Sequence, residues 1–191
     1  MDATSPTVFI NFIAEINDKT SSLLMFLITE QLRAGVKNFH VNISSNGGGV
    51  FYAISIFNFL SGLKNVTIQT HNLGQIDSAA NLIFLAGHKR TASKASSFLL
   101  HPPEISIQGQ VALSFSIEAL RERLESLQQD EIKMAEVIGE RIGKDKKEIL
   151  KMFKERKTYS STDAKTKGFI QEIEEFVAEP GLPIFTITNQ G

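Results

Sequence analysis

Hydrophobic and polar positions along the first half of the chain repeat one order. Val8 to Ile16 is β-branched and aromatic and predicts a strand. Asn17, Asp18 and Thr20 then offer polar caps to an apolar helical stretch, Ser21 to Arg33, which Gly35 can end. Phe39 to Ile43 predicts a short buried strand, followed by a glycine-rich turn and a helix from Val50 to Leu60 that closes near Gly62. Val66 to Asn72 predicts a third strand, with a helix from about Asp77 to Gly87. Arg90 to His101 reads as a fourth strand, whose end before Pro102 is pushed toward extended geometry. Parallel neighbours need crossover helices, so this order predicts an α/β domain with largely parallel strands.

The second half changes character. Ile117, Leu120, Leu124, Leu127, Ile132, Ala135 and Ile138 recur at helical spacing between charges, predicting one long amphipathic helix from Ser116 to Arg141. Gly143 breaks it. Lys144 to Lys157 and Ser161 to Lys167 follow as shorter helices, and Phe169 to Val177 as a last strand. Residues 1–177 are thus expected to form one domain. Ala178 to Gly191, with two prolines and two glycines, reads as a C-terminal tail.

Composition narrows the function classes. At 191 residues the chain suits one domain with a substantial core, and 42% apolar with 21% charged residues is the range of soluble proteins. No stretch approaches the roughly 18 consecutive apolar residues of a membrane span, and the acidic MDATSPT start does not resemble a secretory or transit leader. The expectation is a cytoplasmic protein without a membrane partner. A net charge of −1 supplies no basic field for nucleic acid. The absence of cysteine excludes disulfides, thiolate catalysis and cysteine-based zinc sites, so a nucleophile must be an oxygen or a lysine.

Two strand-to-helix junctions carry candidate chemistry, because open α/β sheets gather sites at the carboxyl ends of strands. In Ile43-Ser44-Ser45-Asn46-Gly47-Gly48-Gly49, three glycines leave backbone N–H groups uncovered at a helix N-terminus, which suits a phosphate or an oxyanion. Taken alone the triplet is a weak signal, and a tight turn needing positive φ is the more ordinary explanation of it. Neither the P-loop nor the full G-x-G-x-x-G pattern is present, and no cofactor or metal is called for. In Gly74-Gln75-Ile76-Asp77-Ser78-Ala79-Ala80-Asn81, Ser78 is placed to expose its hydroxyl at the first turn of a helix, unless it or Asp77 simply caps that helix. Of His40, His71, His88 and His101, the last ends a strand before a Pro-Pro turn, a position that projects into clefts, and is the first choice as general base.

Several segments together resemble the proteolytic subunit of Clp protease, within the Clp/crotonase fold. Ile43 to Gly48 is similar to that family's Ile-Asn-Ser-Pro-Gly-Gly, and Gly74-Gln75-x-x-Ser78 to its Gly-Gln-Ala-Ala-Ser. Leu100-His101-Pro102-Pro103 with Gln108-Gly109-Gln110 resembles its Ile-His-Gln-Pro and Gln-Gly-Gln, and Ser161 to Ile170 its Ser-Ala-x-Glu-Ala-x-x-x-Gly-Leu-Ile. The resemblance is collinear from about Val8 to Ile173. It implies repeated β-β-α units with a protruding handle helix, Ser116 to Arg141. It also implies a serine endopeptidase in which Ser78 attacks, His101 takes the proton, and the amides of Gly48 and Ala79 form the oxyanion hole. The partners it implies are peptide or unfolded protein as substrate, further copies of the chain in a homo-oligomeric ring, and a Clp-type ATPase.

The sequence departs from the family in three places. Arg156 stands where the family carries its triad aspartate, which leaves Glu155 and Asp163 as the carboxylates nearest by register. Ile105-Ser106 replaces a glycine pair that lines up substrate backbone, and Asp77 puts a charge directly before the nucleophile position. Two other readings therefore stand beside the peptidase: a catalytically impaired subunit that keeps the fold for assembly, and a crotonase-like acyl-CoA enzyme.

Overall fold

The computed structural model describes residues 6–104 and 116–190. Ile105-Ser106 and Gln108-Gly109-Gln110 lie outside the described residues.

Strand β1 (Thr7–Ile13) buries Val8, Phe9, Ile10 and Phe12, so both of its faces are covered. Helix α1 (Asp18–Arg33) starts at Asn17 with a reciprocal capping box, in which the Asn17 side chain accepts from Thr20 N and the Thr20 hydroxyl accepts from Asn17 N. It buries Leu24 and Ile28, one turn apart, against the sheet. Strand β2 (Asn38–Ser45) runs to the glycine triplet, and helix α2 (Val50–Gly62) packs inward through Ala53, Ile56 and Leu60. Strand β3 (Thr67–Asp77) is longer than predicted: it continues through Gly74 to Asp77, and helix α3 (Ala80–Leu85) starts only after Ser78 and Ala79.

The predicted strand Arg90 to His101 is two strands, β4 (Lys89–Ala92) and β5 (Ser97–Leu99). The turn between them is closed by Ser96, whose N–H and hydroxyl both donate to Ser93 O, at 3.0 and 2.7 Å. Both strands pair in parallel with β3, but with different halves of it: Gln69 to Asn72 faces β4, and Gln75 to Asp77 faces β5. The Asn72 side chain bridges the fork, donating to Ser97 O at 2.8 Å and accepting from Gly74 N at 3.0 Å.

Helix α4 (Ile117–Ile142) is the long helix, capped by Ser116 and ended by Gly143 in the left-handed region at φ 70°. Only its C-terminal half is buried, through Met134, Ala135 and Ile138. Helix α5 (Lys146–Glu155) packs by Ile149, Met152 and Phe153, and strand β6 (Thr158–Ser160) with helix α6 (Ser161–Thr166) brings the chain back to β5, where β6 pairs antiparallel. The predicted strand from Phe169 to Val177 is reduced to β7 (Glu172–Ile173) beside β4.

The predicted tail is ordered differently. Strand β8 (Ile184–Thr188) lies parallel to β1 and extends the sheet, giving the order β6-β5-β3-β2-β1-β8, with β4 and β7 branching from β3. Its alternation is faint, with Ile187 alone buried, because an edge strand covered on one side needs only one inward anchor. The architecture is therefore the expected mixed α/β fold with mainly parallel strands. Among the described residues no helix is long and apolar enough to cross a membrane.

Candidate active site

Strands β2 and β3 end side by side, and the register between them shifts between Ile43 and Ser45. Beyond β2 the glycine loop folds onto the segment after β1: Ile16 N donates to Gly47 O and Gly49 N to Ile16 O, both at 2.8 Å. The Gly48 N–H takes no part in this bridge. Glycine is required here by space as well as by backbone. At Gly47 (φ 93°) a Cβ would lie 2.8 Å from Ser78 Cβ, and at Gly48 (φ 141°) it would lie 2.2 Å from Ile16 O.

Beyond β3 the chain turns sharply at Ser78, which holds φ 54°. A left-handed non-glycine residue costs about 1–3 kcal/mol and persists only where its surroundings hold it. Here Ser78 N donates to Leu99 O at 2.9 Å, and the Asn81 amide reaches both Ser78 O and Leu99 O at 3.0 Å. Neither Asp77 nor Ser78 caps α3; the N-cap is Ala79, without a side-chain bond. Asn81 is a fixing residue that sequence alone did not single out, since its two acceptors are backbone carbonyls brought together by folding.

Gly47, Gly48, Gly49, Ser78 and His101 line one cleft of about 840 Å³, along with Arg123 and Asp130 of α4. The structure thus brings together three of the four residues first picked as nucleophile, base and oxyanion donors, and Ala79 is covalently next to Ser78. His101 Nδ1 lies 2.7 Å from Pro102 O. A carbonyl can only accept, so Nδ1 carries the hydrogen and Nε2 of the neutral ring is an acceptor.

The carboxylates expected near His101 are elsewhere. Asp163 is consumed by the cap of α6, accepting from Ser160 N at 3.1 Å and Ser160 Oγ at 2.8 Å, which holds its carboxyl below the usual range. Glu155 ends α5 near Tyr159, where it helps to push the phenol pKa up after burial. Arg156 is the left-handed C-cap of α5, at φ 48°, and donates to Glu104 at 2.5 Å; that hydrogen bond and charge hold the Glu104 carboxyl down.

His40 and His71 are apart from this cleft, on a smaller cavity of about 260 Å³ with Glu174, Glu175, Phe176 and Glu179. The His71 ring is satisfied at both nitrogens, with Thr91 Oγ1 at 2.7 Å and Ser93 Oγ at 3.1 Å. Among the described residues no group of three or more His, Asp or Glu is arranged to hold a metal.

A mainly parallel sheet that ends in a glycine loop beside a left-handed serine places this chain among the α/β proteins whose sites gather at the carboxyl ends of strands. A mutant of ClpP1 from Listeria monocytogenes is similar in fold, with a TM-score of 0.73 and 20% identity over 88% of this chain and 91% of that one. The family model described as Clp protease matches residues 5–176, and the chain belongs to that family.

Proposed function

We propose that the protein is a serine peptidase of the Clp type that cleaves peptides or unfolded polypeptides through an acyl-enzyme. Ser78 Oγ attacks the scissile carbonyl while His101 Nε2 takes its proton, and the amides of Gly48 and Ala79 hold the oxyanion. His101 then hands the proton to the leaving amine as the C–N bond breaks, and water hydrolyses the ester by the reverse route. The observation that carries this reading is the left-handed Ser78, opening on the same cleft as His101 and the Gly47–Gly49 loop.

Assembly into a homo-oligomer belongs to the same reading. The outer half of α4 exposes Ile117, Leu120 and Leu124 at 65%, 52% and 56%, an apolar row that a second copy would cover. The pairing of Arg156 with Glu104 favours one other reading, a non-catalytic assembly subunit.

Hydrolysis of an unstructured peptide and labelling by a fluorophosphonate separate the two. Wild type is expected to cleave and to be labelled, whereas Ser78→Ala and His101→Gln lose about 10³-fold or more of kcat. An unlabelled, inactive wild type in assembled form would establish the non-catalytic subunit instead.

A further inference from the structure

In a serine–histidine pair the third group does two separable things. It accepts the far N–H of the imidazole, which fixes tautomer and orientation, and it sets a negative charge against the imidazolium that forms during attack. Here Pro102 O does the first, at 2.7 Å from His101 Nδ1. A neutral carbonyl cannot do the second. Glu104 feels the His101 charge, but it is half-exposed and already paired with Arg156.

We infer that Asp77 supplies the charge, as a positioning residue buried behind the serine that stabilises protonated His101 without touching substrate. The inference rests on the peptidase reading above. Its geometry comes from the β3–β5 ladder. Asp77 is the register partner of Leu99, the last residue of β5, and His101 follows two residues beyond it, so the ladder sets the carboxylate and the imidazole on neighbouring stretches of chain.

Asp77 is only 6% exposed, and its Oδ1 is buried with no hydrogen-bond partner. The other oxygen accepts from the Gln75 side chain, on the same side of β3. A buried carboxylate with one bare oxygen is costly to keep, so its presence beside the nucleophile needs a reason beyond packing. Burial pushes the Asp77 carboxyl up, while the Gln75 amide, the His101 charge and the Leu99 backbone pull it back. The family's single aspartate is thereby divided between a carbonyl that orients and a carboxylate that neutralises.

Asp77→Asn keeps shape and the Gln75 contact but removes the charge. In the assembled enzyme it is expected to lower kcat by about 10- to 100-fold with KM held. Asp77→Asn with wild-type kcat would overturn the proposal. A second measurement needs no turnover: the Asp77 carboxyl, followed by carbon NMR, should titrate at higher pH in His101→Gln than in wild type, because an opposing positive charge is gone. An unchanged Asp77 titration sinks the coupling whether or not the protein is a peptidase. A shifted titration in a protein that Ser78→Ala shows to be inactive upholds the coupling and rejects the hydrolase reading alone.

Discussion

Ser78 holds a left-handed backbone because the residues around it leave no alternative: its N–H is tied to Leu99, its carbonyl to Asn81, and its Cβ faces the bare Gly47 Cα. The glycine loop is therefore part of the serine's support as well as a source of amides. Gly48→Ala tests this at the most crowded point, where the new methyl would meet Ile16 O at 2.2 Å. It is expected to destabilise the protein by about 2–4 kcal/mol in denaturant unfolding, and to reduce fluorophosphonate labelling of the folded fraction. Labelling at the wild-type rate would mean that crowding at Gly48 does not disturb the serine, and that the loop is not part of its support. At this scale the sequence showed the hydroxyl, the imidazole and the glycines, because each is a residue type in a recognisable order. It did not show Pro102 O or the Asn81 bridge, since backbone acceptors carry no residue signature. Asp77 was visible only as an awkward charge, for its surroundings come from β5.

Among the elements, the connection from α6 to β7 depends on Arg90. Its guanidinium donates to Phe169 O at 2.7 Å, Gly87 O at 3.2 Å and Gly168 O at 3.3 Å, and Arg141 of α4 reaches Gly87 O and Leu85 O at 2.8 and 2.7 Å. Two cations thus gather carbonyls left over at the end of α3 and after α6. Arg90→Met keeps the length but strands these acceptors. A loss of about 3 kcal/mol is expected from urea unfolding, with the same fold by circular dichroism. The long helices and the first three strands were legible because their periodicity runs over many residues, as in Ala53, Ile56 and Leu60 of α2. The division of Arg90 to His101 into β4 and β5 was not, because the turn exposes only Lys94 and Ala95 between buried residues and no glycine or proline marks it. Strand β8 was hidden for the opposite reason: its residues are mostly exposed, and its pairing with β1 spans the length of the chain.

Across the whole molecule, acid should act through His40 and His71. Burial pushes both imidazoles below 6.5, with Glu174 opposing. The unfolded chain binds more protons than the folded one below that value, so this stability is present above pH 6.5 and is lost as pH falls through the lowered folded values. A melting temperature that drops between about pH 7 and pH 5, and drops less steeply in His40→Gln/His71→Gln, is the expected result; equal slopes would refute it. For assembly, Ile117→Lys/Leu124→Lys removes two exposed apolar contacts that would contribute about 1.5–3 kcal/mol each when fully covered. Light scattering should show the variant shifted to smaller species at a protomer concentration where wild type is assembled, and an unchanged mass would exclude this face from the contact.

The fork of β3 has one more implication, for how such a scaffold changes over time. One half of the strand meets β4 and the other meets β5, with Gly74 after the junction and the Asn72 side chain across it. Insertion or loss of a single residue at Leu73 would slide the serine-bearing end against its neighbour while leaving the deeper ladder in step. A lineage could retune or silence its chemistry there and keep a foldable shell, which makes that joint the place to look when active and inert relatives are set side by side.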